Sequence, residues 1–325
     1  MATQTASRSP SPDPDPSIYT PLTDPIVTYD PPPTFPLPAA TLDGKYCALY
    51  PLTRAHIPGL YKTIGGKHNA GLWKYMLSGP YFNYEDFERD HSADADAWDW
   101  NGDGDGDEGV QGEGREKVFW TIMLKPNTST STSTFITDTN TTPVTVTDTD
   151  PDSDENSPPL IPAGVLALHR IQPPHQSLEI GYVLFSPLIQ QRPAATESIY
   201  LITRFAFDHL QSYERVEWKC NALNSASRRA ARRLGFSEEG TMRGHMVVRG
   251  RRRDTVWFAV GRGAWEGEGR DGEDGGGEGE GDKEEDGKER KRRGVREAYE
   301  MWLSPGNFDE EGQQRRGLRE IREGG

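Results

Sequence analysis

Cysteine is scarce. The chain has 325 residues and two of them are cysteines, Cys47 and Cys220, both in apolar contexts. Two thiols cannot frame a disulfide scaffold, so they read as buried, reduced side chains of a cytosolic protein. Long hydrophobic runs are missing too: no stretch approaches the ~20 apolar residues a membrane span needs. The start, "MATQTASRSPSPDPDPS", carries no apolar signal core. The expected location is therefore the cytoplasm, with the nucleus also open. Apolar residues make up only 33% of the chain, while Gly 35 and Pro 25 are high. Such a composition supports one folded domain of roughly 170–200 residues, with unstructured ends and inserts.

Positive charge is in deficit overall, with a formal net charge of −14. The deficit is local. Between Ala163 and Val260 there are 14 Lys and Arg against 8 Asp and Glu, so the acidic excess sits elsewhere. A basic core inside an acidic chain suits an anionic ligand, or else is a solvated arginine face.

The apolar content comes in blocks. Residues 1–40 are Pro-rich and polar and are expected to be disordered. "KYCALYPLT" has strand composition. A helical pattern follows through Ile57, Leu60 and Tyr61, and "GLWKYMLSGPYFNYEDFERDH" carries aromatics at helical spacing around a Gly-Pro turn. An acidic insert near 92–115 interrupts the pattern. Asp99, Asn101, Asp103, Gly104, Asp105 and Asp107 imitate the opening of a calcium loop, but its twelfth position is Val110 where a bidentate Glu is required, so no metal site is assigned. "KVFWTIML" is a strand. A second insert, near 126–161, is Thr, Ser, Asp and Pro; its sequons at Asn127 and Asn140 read as linker composition. "AGVLALHRI" and "LEIGYVLF" then form two strands joined by "QPPHQS". "AATESIYLITRFAFDHL" is a helix with one stripe of Ile199, Ile202, Ala206 and Leu210, beside Phe205. "RVEW" is a strand, "SASRRAARRLGF" a helix, and "MVVRGRRRDTVWFAV" a hairpin turning at Gly250. The domain is placed at 41–262. An acidic low-complexity tail at 263–325 follows, with a helix near 294–303, docked or free.

Two places can carry chemistry. After Phe185 a Gln/Arg-rich loop runs into a helix starting near Ala194. Free N–H groups at a helix start attract anions, and small residues let a phosphate approach; the alternative is an ordinary helix start with Pro near its first position. After "RVEWKCN", Asn224 can cap the next helix with Ser227 in its first turn, and Gly235 can end it; here too capping alone is a sufficient reading. Alternation sets Val216, Trp218 and Cys220 on one face and Glu217, Lys219 and Asn221 on the other.

Together, "EIGYVLFSP…QQRPAATES…VEWKCNALNSASRRAARRLGF…GHMVVRGRRRDTVWFAV" resembles the Gcn5-related N-acetyltransferases (GNAT), in the branch of the RimJ/RimL-like ribosomal-protein N-terminal acetyltransferases. Asn224, Ser227, Gly235 and Phe236 keep the branch's spacing, and the likeness covers about Leu42–Val260 without the inserts. It implies an α+β fold: a mixed, mostly antiparallel sheet, splayed between the "EIGYVLF" and "RVEWKC" strands and flanked by helices. It implies acetyl-coenzyme A as co-substrate, no metal, and transfer of the acetyl group to a primary amine, on a protein N-terminus or a small molecule. Backbone of Val183, Leu184 and Phe185 would pair with the pantetheine. Gln190, Gln191, Arg192, Ala194, Ala195 and Thr196 would hold the pyrophosphate. Pro193 stands where the family has Gly and offers no N–H. Glu179 would act as base through a water, with His169 as the weaker candidate; a strand-edge carboxylate paired to an arginine is the other reading of Glu179. Asn224 would bond pantetheine or a water, and Ser227 would sit near the sulfur. Trp73, Tyr75, Tyr81, Phe82 and Tyr84, with His245 and Arg249 opposite, would form the acceptor wall, unless the aromatics are core. Arg192 would matter for the coenzyme, and Arg233, toward the far end of its helix, much less. Two other classes compete: a coenzyme-binding fold without turnover, motivated by Pro193, and a nucleic-acid binder, motivated by "RRAARR" and "RGRRRD".

The low-complexity segments cannot bury enough apolar area to offset chain entropy. Limited proteolysis is expected to cut within 1–40, 100–115, 127–160 and 266–290 and to leave a nicked but folded core. Unfolding of the domain on deletion of residues 127–160 would refute the insertion reading.

Overall fold

The computed structural model describes residues 40–96, 117–126, 159–210, 213–267, 293–309 and 313–324. The Pro-rich start, the Asp99–Asp107 segment, the sequons at Asn127 and Asn140, and residues 268–292 lie outside the described residues, as do the disorder and calcium readings made for them.

Strands form where β-branched and aromatic residues cluster. They are β1 (Leu42–Asp43), β2 (Cys47–Pro51), β3 (Lys117–Leu124), β4 (Ile161–Gln172), β5 (Ser177–Phe185), β6 (Arg215–Asn221), β7 (Ser237–Val248) and β8 (Arg251–Gly261). They make one sheet in the order β1-β2-β3-β4-β5-β6-β8-β7. Every pairing is antiparallel except β5 with β6. This is the mixed, mostly antiparallel α+β sheet expected from the sequence. The turn between β7 and β8 is Arg249-Gly250, both left-handed, with φ of 50° and 70°. Positive φ at both central positions defines the tight hairpin turn that matches strand twist.

Helices cover both faces. On one side α1 (Ile57–Ile64) and α2 (Tyr84–Ala95) bury Ile57, Leu60, Ile64 and Phe87 against Phe119, Val165, Ala167 and Leu184. Asn83 caps α2 by accepting from the Asp86 N–H at 2.9 Å. Between the two helices the chain forms a 3-10 stretch, Lys67–Trp73, in place of a continuous helical pattern.

On the other side lie α3 (Pro193–Arg204) and α4 (Ser225–Arg233). Here the structure corrects the sequence reading twice. Residues Ala194 to Thr203 of α3 are all buried, not a single stripe. The cause is the second difference: the fold continues past 262. Short α5 (Arg262–Glu266), α6 (Val295–Leu303) and α7 (Leu318–Arg322) add a layer outside α3. Trp265 is fully buried against Phe207, with ring centroids 5.4 Å apart, and Tyr299 lies 5.2 Å from Tyr200. The Tyr299 hydroxyl donates to the Leu234 carbonyl at 3.1 Å, tying α6 to the end of α4. The helix anticipated near 294–303 is present, and it docks.

Trp302 is 2% exposed in this layer. Trp302→Ala is expected to destabilise the whole domain by about 3–5 kcal/mol, as for other large-to-small core changes, read by chemical denaturation. If the main transition keeps its midpoint, the C-terminal helices are an independent unit.

Candidate active site

The site begins where two strands part. β5 and β6 pair in parallel for four residues, from Ser177↔Arg215 to Ile180↔Trp218. Beyond that β6 stays in register with β8 as far as Asn221, while β5 stays with β4. A bulge at the fork turns β5 away: Tyr182 is left-handed, with φ of 53°, and the ladder shifts between Val165 and Ala167. The β6-facing edge of Gly181–Phe185 therefore has no strand against it among the described residues. A Cβ at Gly181 would fall 2.2 Å from Nε2 of His169, so a larger residue there would displace that ring.

Beyond the open edge the chain turns through Ser186–Arg192 into α3. The Gln190 amide donates to the Phe185 carbonyl at 2.8 Å, and Gln191 is left-handed (φ 60°), so both fix the loop's shape. Arg192 is the exposed N-cap, in extended geometry, and Pro193 opens the helix. At that position a proline N–H is not missed by the helix itself; of the N–H groups that follow in the first turn, that of Ala195 donates to the Arg192 carbonyl at 3.2 Å, and that of Ala194 precedes it. Glu197 faces the other way. Buried to 2%, its carboxylate accepts from the backbone N–H groups of Lys45, Tyr46 and Cys47 at 2.7, 2.6 and 2.9 Å. The β1–β2 turn is thereby bolted to the start of α3. Burial, chiefly, together with this carboxylate pushes the Cys47 thiol far above its usual range, so it is no nucleophile.

Across the fork, the Asn224 carboxamide accepts from the Ser227 N–H at 3.1 Å, and the Ser227 hydroxyl accepts from the Trp218 indole at 3.0 Å. Asn224 is thus a helix cap, and Ser227 is anchored at the last paired residue of the fork. One arginine differs from its expected place. Arg233 ends α4 beside the start of α3, and its guanidinium donates to the Thr196 hydroxyl at 3.1 Å. The C-terminal end of α4 thus reaches the first turn of α3 through this contact.

On the opposite sheet face the fork is lined with charge. Glu179, 5% exposed, lies beside His169 on β4, its register partner: Oε1 is 3.2 Å from Nε2. Its Oε2 lies 2.8 Å from Lys219 Nζ and 3.6 Å from Arg170 Nε. Burial by itself raises the Glu179 pKa, but the His169 imidazole and the Lys219 ammonium outweigh it and hold the carboxyl below the usual carboxylate range. Lys219 also pairs with Glu217 and sits 3.7 Å from the centre of the Trp257 ring. The partner of Glu179 is a lysine and a histidine before it is an arginine. Lys219 was not singled out from the sequence, although its alternation with Glu217 set it on this face.

Next to this cluster is a cavity of about 420 Å³ whose wall includes Trp73, Tyr81, His91, Lys117, Tyr182 and Leu184. Of the aromatics expected at an acceptor wall, Trp73 and Tyr81 line it. Tyr84 packs on Tyr61, Phe82 is 60% exposed, and Tyr75 lies outside the lining. His245 bonds the Thr255 hydroxyl at 3.0 Å, and Arg249 reaches across to the carbonyls of Met76 and Ser78 at 3.2 and 2.6 Å. The hairpin tip thus touches the loop before α2, over the same face. Among the described residues no group of three or more His, Cys, Asp or Glu could hold a metal ion, and no helix is long and apolar enough to cross a membrane.

Residues 49–237 match the family model described as "Acetyltransferase (GNAT) domain". The crystal structure of a GCN5-related N-acetyltransferase from Brucella melitensis superposes with a TM-score of 0.60 at 28% identity, covering 90% of this chain and 98% of that one. A GNAT-family structure from Chromobacterium violaceum ATCC 12472 superposes with a TM-score of 0.51 at 24% identity, covering 81% of this chain and 99% of that one, and shares the fold. A Bacillus subtilis (strain 168) protein named "Putative ribosomal N-acetyltransferase YdaF" is 30% identical over 105 residues, which span 32% of this chain and 56% of that protein.

Glu197→Gln removes the charge and replaces one of the two acceptor oxygens with an NH₂ group that faces N–H donors. It is expected to destabilise the domain by roughly 2–3 kcal/mol at neutral pH. Glu179 offers a pH test. Its folded pKa is depressed, so the stability it contributes is present above its unfolded pKa and lost as pH falls through the folded one. Melting curves of the wild type and Glu179→Gln should differ at pH 7 and converge in acid; a gap that persists in acid would mean the loss is one of packing.

Proposed function

Because the chain belongs to the GNAT acetyltransferase family, we propose that it moves the acetyl group of acetyl-coenzyme A to a primary amine, on a protein N-terminus or a small molecule. The observation that carries this reading is the fork, an open backbone edge at Gly181–Phe185 leading directly into the first turn of α3.

The edge at Val183, Leu184 and Phe185 would take the amide groups of the pantetheine as a neighbouring strand would. The loop from Gln190 to Arg192, with the first turn of α3 at Ala194, Ala195 and Thr196, would hold the pyrophosphate, aided by the helix dipole. Arg192 and Arg233 flank that turn and add charge-assisted contacts. Asn224 and Ser227 would border the thioester from the α4 side. The bound thioester supplies an activated acyl carbon. The chain's own part is to hold the acceptor nitrogen against it, on the face with Tyr182, and to draw off the ammonium proton toward Glu179 and the groups paired with it. The cavity with Trp73 and Tyr81 is the room an acceptor side would use. The acceptor's class rests on the Bacillus subtilis relative's name, which suits an amine at the end of a protein chain.

Incubation with acetyl-coenzyme A and a mixture of free-N-terminus peptides and small amines, followed by mass spectrometry, is expected to yield acetylated products. No product from any amine, with coenzyme binding intact, would leave a coenzyme-binding protein without turnover. Calorimetry separates the phosphate contacts: Arg192→Glu and Arg233→Glu should each weaken coenzyme A binding, by about tenfold or more per lost charge-assisted contact. Unchanged affinity in both variants would move the pyrophosphate away from α3.

A further inference from the structure

The acceptor's ammonium must lose a proton before nitrogen can attack, and the fork holds a group arranged to take it. We propose that His169, through its Nδ1, accepts the proton of the acceptor amine, and that Glu179 and Lys219 are positioning residues that keep His169 in the required tautomer. The inference rests on the transferase reading above.

The argument starts from Glu179. Both its oxygens are engaged, one with His169 and the other with Lys219 and Arg170, and the side chain is 6% exposed. A carboxylate so enclosed does not reach an incoming amine. As an ionised group it only accepts hydrogen bonds. Facing Nε2 at 3.2 Å, it draws the imidazole proton to Nε2 and leaves Nδ1 with its lone pair. Among the described residues that bare nitrogen has no hydrogen-bond partner, and the side chain is 18% exposed, so it can be reached.

The ring's position supports the role. His169 packs over the Cα of Gly181 and edge-on to Tyr182, with centroids 5.1 Å apart. Those are the residues where β5 leaves β6, and Tyr182 also lines the 420 Å³ cavity. The ring therefore stands at the start of the open edge, against a residue that lines the cavity. Charged groups surround it from every side: Glu179 from β5, Arg170 from its own strand, Lys117 from β3 as its register partner, Lys219 and Glu217 from β6, and Asp94 of α2 through its pair with Lys117. Lys219 prevents Glu179 from keeping the proton itself. It pairs with that carboxylate at 2.8 Å while held under Trp257.

In the step, an N–H bond of the acceptor ammonium breaks and its proton passes to Nδ1. The freed nitrogen pair forms a bond to the thioester carbonyl carbon, and the C–S bond breaks with its electrons going to sulfur. The second amine proton goes to the thiolate, and the imidazolium returns its proton to water.

The test uses the full chain, acetyl-coenzyme A, and a panel of hexapeptides with free N-termini together with spermidine and phenethylamine. His169→Gln keeps a donor for Glu179 but cannot take the proton. With the best acceptor it should lose about 10²–10³-fold in kcat/KM at neutral pH, and its rate should then rise with pH only as the amine itself deprotonates. Glu179→Gln should move the acid limb of the wild-type profile to lower pH, and Lys219→Met should move it to higher pH, shifts that a packing role would not produce. A His169→Gln protein that is folded by melting and retains its activity and acid limb overturns the proposal. The tautomer gives a readout without turnover: long-range ¹⁵N–¹H correlation of His169 should show the Nε2–H form in wild type and lose that preference in Glu179→Gln. A wild-type Nδ1–H form overturns the proposal. Wild-type protein that acetylates none of the panel removes the transferase reading, whereas loss of the tautomer preference alone removes only His169.

Discussion

The parallel pairing of β5 and β6 stops after four residues, and the rest of the site depends on that stop. The strands cannot continue together because each has a stronger obligation elsewhere. β6 is committed to β8 along its whole length. β5 is committed to β4, and its left-handed Tyr182 bends it off the common line. Unpaired backbone groups demand partners. An open edge of this kind, inside a folded domain and flanked by a helix start, is a place for a ligand that carries amide groups.

The two faces of the fork differ in chemistry. Toward α3 and α4 it offers backbone N–H groups, arginines and the anchored hydroxyl of Ser227. Toward α1, α2 and the β7–β8 hairpin it offers the imidazole of His169 and then a chain of ionised side chains, running through Glu179 and Lys219 to Glu217 and Arg215. The first face gathers positive charge, whereas on the second opposite charges alternate and pair with one another. The sheet keeps them apart except at the fork, where they meet.

Position is enforced from a distance. The start of α3 is fixed by Glu197 gripping the β1–β2 turn, and its outer face is covered by α6. The end of α4 is fixed by Tyr299. Removing the C-terminal layer would leave buried residues of α3 such as Tyr200 facing water. Helices that must present N–H groups to a ligand gain from being held on both sides, since a displacement of an ångström spoils the geometry.

Much of this was written locally. The order of strands and helices, the hairpin at Gly250, the cap at Asn224 and the basic core could be read from alternation, turn residues and charge, because each depends on neighbours in the chain. His169 opposite Glu179 followed from the short connection alone. Other features are set by contacts between distant segments. Trp265 and the 295–322 helices looked like parts of an acidic tail, since their apolar residues are few; only the exposed back of α3 gives those residues somewhere to bury. Arg233 looked remote because position along a helix says nothing of which helix end lies beside it. The left-handed turn at Tyr182, with a side chain that does not favour it, has no local signal. It arises from the conflict of two ladders over one strand, which exists only once the sheet has formed.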